Sequence, residues 1–327
     1  NRIDLLSSLI GKIIGLEEPP KPLPNPPSVI KAIYVTGWSA GAKGYSYYLS
    51  QTLDTTQINA VVIDIKDVSG FVTYKSGAPK VKEYKTYQRA ILDIDKLVKS
   101  LHKKGIYVVA RITVFKDSAL PLVRPDLAVY DKTKTQDKLS PVLWQDYNGL
   151  YWLDPSSQEV WDYTIDIAKD AVSHGFDEIN FDYIRFPSDG KLKNMGFPNS
   201  DQKTTRNLVL KNFYKKIRES MPNTKLSVDL FGQTTTNRYD MGIGQIIEDS
   251  FEYFDYISPM VYPSHYARGF LGFSNPAEYP YEIIKYALDT AVLRQSSYAK
   301  INPEKKLGKI RPWLQDFDLG ANYDAEM

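Results

Sequence analysis

Two aspartates in the middle of the chain have the residue type and spacing for acid–base chemistry. Asp182 ends an apolar run in GFDEINFDYIRFPSDG, residues 175–190, and Asp229 has the same position in KLSVDLFG, residues 225–232. In each run a polar residue two places earlier, Asn180 or Ser227, shares the strand face of the aspartate. Two carboxyl groups on neighbouring strands can divide the roles of proton donor and of base or nucleophile. We therefore expect Asp182 and Asp229 to form the chemical centre.

Basic, polar and aromatic residues at the ends of other apolar runs are candidates for binding a ligand around these carboxylates. The candidates for binding hydroxyl or anionic groups are Lys66, Arg111, Lys116, Arg185, His265 and Gln315, and the candidates for stacking are Trp38, Tyr183, Tyr262 and Trp313. Asp64 and Asp316 are reserve carboxylates, although Asp64 lies two residues from Lys66, which favours an internal ion pair. For any one aromatic residue, core packing is an equal alternative, and His265 could equally be a surface residue without a role.

The composition excludes several other chemistries. The net charge of +2 does not favour a nucleic-acid partner, and the absence of cysteine excludes disulfides, thiolate nucleophiles and Cys-based zinc sites. Neither GxGxxG nor GxxxxGK[ST] occurs, and GWSAGAKG, residues 37–44, does not fit GxSxG, so we interpret it as a flexible loop. We predict no cofactor and no metal, since the three histidines are scattered; a carboxylate-bound calcium ion in the loops stays open.

From residue 31 onward, short apolar runs alternate with helical patterns, which is typical of a parallel sheet wrapped by helices. The predicted strands are residues 31–38, 60–67, 106–115, 177–186, 225–232, 255–262 and 309–317, and the predicted helices include 87–104, 158–174 and 204–220. Lys104-Gly105 and His174-Gly175 have the composition of helix C-termini. The chain of 327 residues is long enough for one (β/α)8 barrel of about 250 residues.

Alternation along the predicted strands gathers polar side chains on one face. Arg111 and Thr113 share a face of the third strand, and Asn180 and Asp182 share a face of the fourth. In a closed barrel this face points inward, and active sites form where the strands end. Such a polar set either satisfies itself as an ion-pair network or meets a ligand, because a buried polar group without a partner costs roughly 1–3 kcal/mol. Convergence from several strands favours a ligand.

The pattern contains seven strands rather than eight. No eighth apolar run follows residue 317, and the last residues, 320–327, resemble the start of a helix. We therefore expect a TIM-type (β/α)8 barrel that lacks its eighth strand or is truncated before it, and such an open barrel leaves strand edges unpaired.

The first 30 residues differ in composition from the rest of the chain. The apolar stretch at 5–16 is too short to span a bilayer, and the proline-rich stretch from Pro19 to Pro27 predicts a stiff spacer. We divide the chain into an N-terminal segment with a proline-rich linker, 1–30, and a barrel domain, 31–327. The segment is typical of what removal of a signal peptide or anchor leaves, which predicts an extracellular or cell-envelope location. A natural cytosolic start is the alternative.

The motif FDYIRFP, residues 181–187, resembles the putative glycosyl hydrolase domain family, TIM barrels distantly related to α-amylase-like and melibiase-like hydrolases. VVIDIKDVSG (61–70), VVARITVFKD (108–117) and YISPMVYPSHY (256–266) match the same pattern. The resemblance runs from about residue 31 to the C-terminus. It implies a glycosidase-type barrel with a carboxylate on strand four, here Asp182. Residues 177–184 also look like the DGIDIDWE motif of family 18 chitinases, but Ile184 stands where those enzymes need a Glu for their chemistry.

The resemblance gives the two carboxylates specific expected roles. Glycoside hydrolysis uses one carboxyl group to protonate the leaving oxygen and another to attack or stabilise the oxocarbenium-like carbon. We expect Asp182 to be the nucleophile or stabiliser and Asp229 the acid/base in the hydrolysis of a polysaccharide or oligosaccharide. The alternatives are a non-catalytic carbohydrate-binding barrel of the cell envelope and a lyase or transglycosylase. The oligomeric state and the sugar are not predicted.

Overall fold

The structure, a computed structural model, describes residues 18–137 and 140–324 and consists of parallel strands alternating with helices. The strands of the main sheet are β1 (Ala32–Val35), β2 (Ala60–Lys66), β3 (Tyr107–Thr113), β4 (Glu178–Asp182), β5 (Lys225–Phe231), β6 (Tyr256–Val261) and β7, which has two parts (Lys309–Ile310 and Trp313–Leu314). The helices are α1 (Gly37–Gly41), α2 (Lys43–Thr55), α3 (Pro79–Tyr84), α4 (Ile94–His102), α5 (Leu120–Val123), α6 (Gln158–Ser173), α7 (Arg206–Ser220) and α8 (Pro280–Ile301). A short antiparallel ribbon joins Tyr130–Asp131 to Met195–Gly196.

The seven strands pair in chain order, from β1 to β7, and every pair is parallel. The sheet curls into an incomplete TIM barrel, and within residues 18–137 and 140–324 no strand joins the outer edges of β1 and β7. The predicted fold class and the seven strands are confirmed. The predicted helix at the C-terminus is wrong for residues 320–324, which are irregular, and residues 325–327 lie outside the described part.

The core lies mainly between the sheet and its helices. Parallel strands are buried on both faces, which is why the runs are so apolar. The outward-facing side chains, such as Val61 and Ile63, join the main core with buried residues of α6 and α7. The inward-facing side chains Val62, Tyr107 and Val109 form a small second cluster inside the barrel.

The described part of the proline-rich segment lies against the N-terminal ends of the strands. Leu23 and Ile30 pack against the cluster inside the barrel, and the backbone N–H of Leu23 donates to Asp177 Oδ1 at 2.6 Å. Gly175, with φ +82°, lets the Pro20 carbonyl approach closely, since a Cβ there would lie 2.5 Å from the oxygen. The segment therefore covers the bottom of the barrel. The predicted apolar stretch at 5–16 lies outside the described residues, and the division at residue 30 stays a proposal.

A partly buried ion pair also crosses the bottom of the barrel, at the N-terminal ends of the strands. Arg311, between the two parts of β7, donates to Glu178 at the start of β4, with 3.0 Å between Nη1 and Oε2. Its guanidinium stacks on the ring of Tyr256 at 4.0 Å, and Tyr107 donates to the same carboxylate at 3.2 Å. This contact ties the last strand to the middle of the sheet across the interior.

The predicted flexible loop at residues 37–44 is wrong, because these residues form α1 and the start of α2. Thr36 caps α1, accepting a hydrogen bond from the Ser39 N–H at 3.0 Å. The glycines serve close packing rather than flexibility: a Cβ at Gly37 would lie 2.6 Å from the Asp64 carbonyl, and one at Gly41 would overlap the Ala90 carbonyl. Among the helices of the described residues, none is long and apolar enough to cross a membrane.

Candidate active site

Arg111 on β3 is the centre of the polar cluster at the C-terminal ends of the strands. Its guanidinium donates to Asp64 on β2 and to Asp182 on β4, and its Nε lies 3.7 Å from Asp229 Oδ2 on β5. The register explains this convergence, because Arg111 pairs with Asp64 on one side and with Asn180 on the other. Burial opposes the charge of Arg111, but the carboxylates of Asp182, Asp64 and Asp229 raise its pKa well above the usual value. Four predicted site residues therefore form one network.

Asp229 is the more enclosed of the two central carboxylates. Its side chain is 0% exposed, and Oδ1 accepts hydrogen bonds from Asn180 Nδ2 at 2.8 Å and Trp313 Nε1 at 2.9 Å. Oδ2 is buried and accepts no hydrogen bond. Burial, followed by the charge of Asp182, raises the pKa of Asp229 from 3.8 to about 7, although Arg111 and the two hydrogen bonds favour the anion. A carboxyl group with this pKa can hold a proton near neutral pH.

Asp182 has a different environment at the end of β4. Oδ1 accepts from the backbone N–H of Tyr183 at 2.5 Å, and Oδ2 accepts from Arg111. Tyr183 has φ +48°, a left-handed conformation that is unfavourable for a residue with a Cβ and that occurs preferentially at functional sites. The Asp182 side chain is 9% exposed, so it is nearer the solvent than Asp229. The two central carboxylates thus differ in both access and bonding.

Tyr34 on β1 belongs to the network but was missed in the sequence. Its hydroxyl donates to Asp64, and the Arg111 guanidinium lies 5.4 Å from its ring centre. Because Tyr34 pairs with Val62, it shares the inward face on which Asp64 follows two residues later. Burial, opposed by Arg111, raises the pKa of Asp64. The alternation in AIYV would have identified Tyr34, since its apolar neighbours Ile33 and Val35 point the other way.

The predicted ion pair between Asp64 and Lys66 is wrong. The register between β2 and β3 shifts after Asp64, so that Lys66 pairs with outward-facing Ile112. Such a bulge moves a side chain to the other face of the sheet. Lys66 is 2% exposed, with Nζ 2.8 Å from Asp117 Oδ2 and 2.7 Å from the Thr113 carbonyl. These contacts hold Lys66 on the outer face of the sheet, away from the Arg111 network.

A second cluster lies beside Asp182, in the loops that follow β3 and β4. Lys116 Nζ lies 2.8 Å from Asp146 Oδ2 and 5.3 Å from the ring centre of Tyr183. The Arg185 guanidinium lies 5.0 Å from the ring centre of Trp152 and 5.2 Å from that of Tyr183. Three of the predicted site residues therefore lie in one aromatic cluster: Lys116, Tyr183 and Arg185. Their partners Asp146 and Trp152 come from a long loop that strand patterns do not address.

The remaining predicted residues lie around the rim. Tyr262 packs edge-on against Phe317 at 5.4 Å and contacts the ring of exposed His265 at 5.5 Å. Burial, then the charges of Asp229 and Asp182, raise the pKa of Tyr262. Gln315 is buried and forms hydrogen bonds with Ser264 and with the Phe317 carbonyl, so it stabilises the loops around it. Trp38 is 58% exposed on α1, and Asp316 is exposed after β7, where its charge acts on Tyr262.

The carboxylates of Asp64, Asp182 and Asp229 surround the Arg111 guanidinium, so no space for a metal ion lies between them. In the part of the chain that the structure describes, no group of three or more aspartate, glutamate or histidine side chains is placed to hold a metal. Arg111 occupies the position between Asp64, Asp182 and Asp229. The arrangement is suited to acid–base chemistry on an uncharged bond.

The fold is an incomplete TIM barrel with a cluster of carboxylates at the C-terminal ends of its strands. The chain belongs to the family described as "Putative glycosyl hydrolase domain", which matches residues 32–327. This confirms the family resemblance. A search of the curated proteins found no match.

Many solved structures are similar to this chain, among them a hypothetical protein and a glycoside hydrolase domain. A hypothetical protein from Ruminiclostridium thermocellum ATCC 27405 has 37% sequence identity, covers 60% of this chain and 96% of its own, and has a TM-score of 0.54. The PgaB (BpsB) glycoside hydrolase domain from Bordetella bronchiseptica has 13% identity, covers 87% of this chain and 94% of its own, and has a TM-score of 0.56. At that identity the second similarity concerns the fold alone.

Proposed function

We propose that the protein is a glycoside hydrolase acting on a polysaccharide or oligosaccharide, with Asp182 as nucleophile or stabiliser and Asp229 as acid/base. One observation supports the proposal most strongly: Asp182 and Asp229 contact the same guanidinium but have different environments. Asp182 accepts two hydrogen bonds and reaches the solvent, whereas Asp229 is enclosed and its pKa is raised to about 7. Pairs of carboxyl groups separated in this way divide into an acid and a charge stabiliser.

The proposed reaction assigns a task to each side chain. Asp229, protonated near neutral pH, gives its proton to the leaving glycosidic oxygen. Asp182 faces the anomeric carbon and attacks it or stabilises its positive charge. Arg111 positions both carboxylates through its contacts with them. Because the Asp229 side chain is fully enclosed, its role requires the guanidinium to shift towards Asp64 and Asp182 when the sugar binds.

The same enclosure favours a second candidate, a non-catalytic carbohydrate-binding barrel. If Arg111 stays between the carboxylates, Asp229 cannot reach a glycosidic oxygen and the cluster is a structural ion-pair network. The exposed aromatic residues of the mouth, such as Trp38, could still bind sugar rings. Binding without turnover would identify this alternative.

We also propose that the protein acts outside the cell or in the cell envelope, where polysaccharides are accessible. Fractionation of the native cells followed by immunodetection tests this location. Detection only in the cytosolic fraction would contradict it.

The function is tested by release of reducing ends from a panel of neutral, acidic and amino polysaccharides. The matched control for Asp182→Asn is Asp54→Asn, because Asp54 is an exposed carboxylate whose only described contact is an ion pair with Lys104. We expect the wild type and Asp54→Asn to release ends at similar rates and Asp182→Asn to release them at least about 100-fold more slowly. Equal release by Asp182→Asn would contradict the assignment of Asp182.

A further inference from the structure

Arg185 differs from the other buried cations of the described residues in forming no ion pair, although the charges of Asp182, Asp189 and Asp146 act on it from beyond ion-pair distance. The deeply buried Lys66 and Lys116 pair with Asp117 and Asp146, and Arg111 bonds to carboxylates of its own network. Arg185 is 6% exposed, and its Nη1 donates only to the Phe186 carbonyl at 3.1 Å and to Ser188 Oγ at 3.2 Å. Nε and Nη2 donate to no group in residues 18–137 and 140–324.

A buried charge without an ion-pair partner needs compensation, because moving an ion out of water is energetically unfavourable. The aromatic rings of Trp152, Tyr183 and Phe231 lie 4.5–5.2 Å from the guanidinium and supply part of it through cation–π attraction. They also hold the group rigidly, three residues from Asp182. A rigid guanidinium fork with free donors fits a carboxylate or a sulfate group, which it can bind with two parallel hydrogen bonds.

A second observation comes from the surface beyond Arg185. The loops after β3 and β4 meet in the ribbon of Tyr130–Asp131 and Met195–Gly196, and three exposed lysines surround it: Lys132, Lys191 and Lys193. None of the three has a carboxylate within ion-pair distance in the described part of the chain. These loops lie on the same face of the barrel as Asp182, because both follow the C-terminal ends of strands. Positive charge therefore extends outward from the site on this side.

The centre of the site has the opposite charge. Asp64, Asp182 and Asp229 form ion pairs with one cation, Arg111, so with Asp64 and Asp182 ionised these four side chains carry a net negative charge even when Asp229 is protonated. This charge favours a cationic transition state and repels an anionic ring. An anionic group on the substrate must therefore lie on a ring beside the one that reacts.

We propose that the substrate is an acidic polysaccharide, with an uncharged ring at Asp182, the carboxylate or sulfate group of an adjacent ring on Arg185, and the chain continuing over Lys191, Lys193 and Lys132. The inference rests on the proposed function and specifies the substrate class of the same site. A carboxylate and a sulfate group share the required geometry, so polymers of each kind serve as probes.

The test is equilibrium binding of polygalacturonate, dextran sulfate, neutral dextran and duplex DNA to the wild type and three variants. The variants are Arg185→Gln, the double variant Lys191→Gln/Lys193→Gln, and the matched control Lys300→Gln/Lys306→Gln. The control removes the same charge from exposed positions near the N-terminal ends of the strands. Circular dichroism and thermal unfolding check the fold of Arg185→Gln.

We expect one or both acidic glycans to bind and dextran to bind at least tenfold more weakly. Arg185→Gln should weaken glycan binding by roughly tenfold, the usual effect of losing a charge-assisted pair. Lys191→Gln/Lys193→Gln should weaken it severalfold at low salt and less at high salt, and the control pair should leave it unchanged. Since Lys191 and Lys193 are exposed, this double variant tests the proposal even if Arg185→Gln fails to fold.

Three results would overturn the proposal: equal binding of dextran, equal loss in the control pair, or duplex DNA bound as tightly as the acidic glycans. The last would show unspecific attraction to polyanions. Failure of this inference can be told from failure of the proposed function. Hydrolysis of neutral glycans alone leaves the function intact, whereas binding of acidic glycans without hydrolysis of any substrate leaves only the binding site.

Discussion

Replacement of Asp229 by asparagine tests whether burial makes ionisation of this carboxyl group unfavourable in the folded protein. Asn keeps an oxygen that can accept the hydrogen bonds of Asn180 and Trp313 but cannot ionise. The pKa of Asp229 is raised from 3.8 to about 7, which corresponds to roughly 4 kcal/mol at 1.36 kcal/mol for each tenfold step. That free energy is the largest pH-dependent difference expected between the wild type and the variant.

The sign follows from proton linkage. A raised pKa means that the folded state binds the proton more tightly than the unfolded state, so the wild type loses stability as the pH rises from about 4 to about 7. Asp229→Asn has no such loss. We therefore expect the stability of Asp229→Asn relative to the wild type to increase between pH 4 and pH 8, by up to roughly 4 kcal/mol.

Urea denaturation of both proteins across this pH range measures the difference directly. Asp54→Asn serves as the control, because Asp54 is exposed and its loss should leave the pH profile of the wild type unchanged. Parallel pH profiles of the wild type and Asp229→Asn would refute the argument. They would mean that Asp229 is ionised throughout, and the proposed acid would lose its physical basis.

Three further substitutions test other parts of the structure. Asp182→Asn should lower kcat by about 10²–10⁴ while the unfolding curve keeps its shape; loss of the folded state would instead indicate a structural role. Arg311→Met should destabilise the protein by roughly 3–5 kcal/mol in urea, because it leaves buried Glu178 unpaired; Arg311→Met combined with Glu178→Gln should lose less, and an equal loss would contradict the ion-pair argument. Tyr34→Phe should cost about 1–3 kcal/mol in the same assay, since it removes the hydroxyl that donates to Asp64; unchanged stability would show that solvent replaces this bond.

The sequence was sufficient for the fold and for the convergence of the central residues. Alternation along β3, β4 and β5 identifies Arg111, Asp182 and Asp229 as inward-facing, and parallel pairing then brings their ends together. The family motif selected Asp182 among the carboxylates. These features depend only on strand period and chain order, which a single sequence contains.

Other features depend on irregularities that strand patterns do not contain. The bulge in β2 moves Lys66 to the outer face of the sheet. Its partner there, Asp117, belongs to the loop after β3. The glycines of α1 suggested flexibility, whereas Gly37 and Gly41 allow close backbone contacts. The charge of Arg185 makes it a candidate in the sequence, but its aromatic surroundings and its lack of an ion pair depend on how the loops fold.

The central claim, that Asp182 and Asp229 act together on a glycosidic bond, is tested most directly by comparing kcat for the two single variants and the double variant. On the substrate found in the polysaccharide panel, we expect Asp182→Asn and Asp229→Asn each to lower kcat by about 10²–10⁴. The double variant should be no slower than the slower single variant, because residues that act as a unit are strongly non-additive. Wild-type turnover in either single variant, or a double variant whose loss is the product of the two single losses, would contradict the claim.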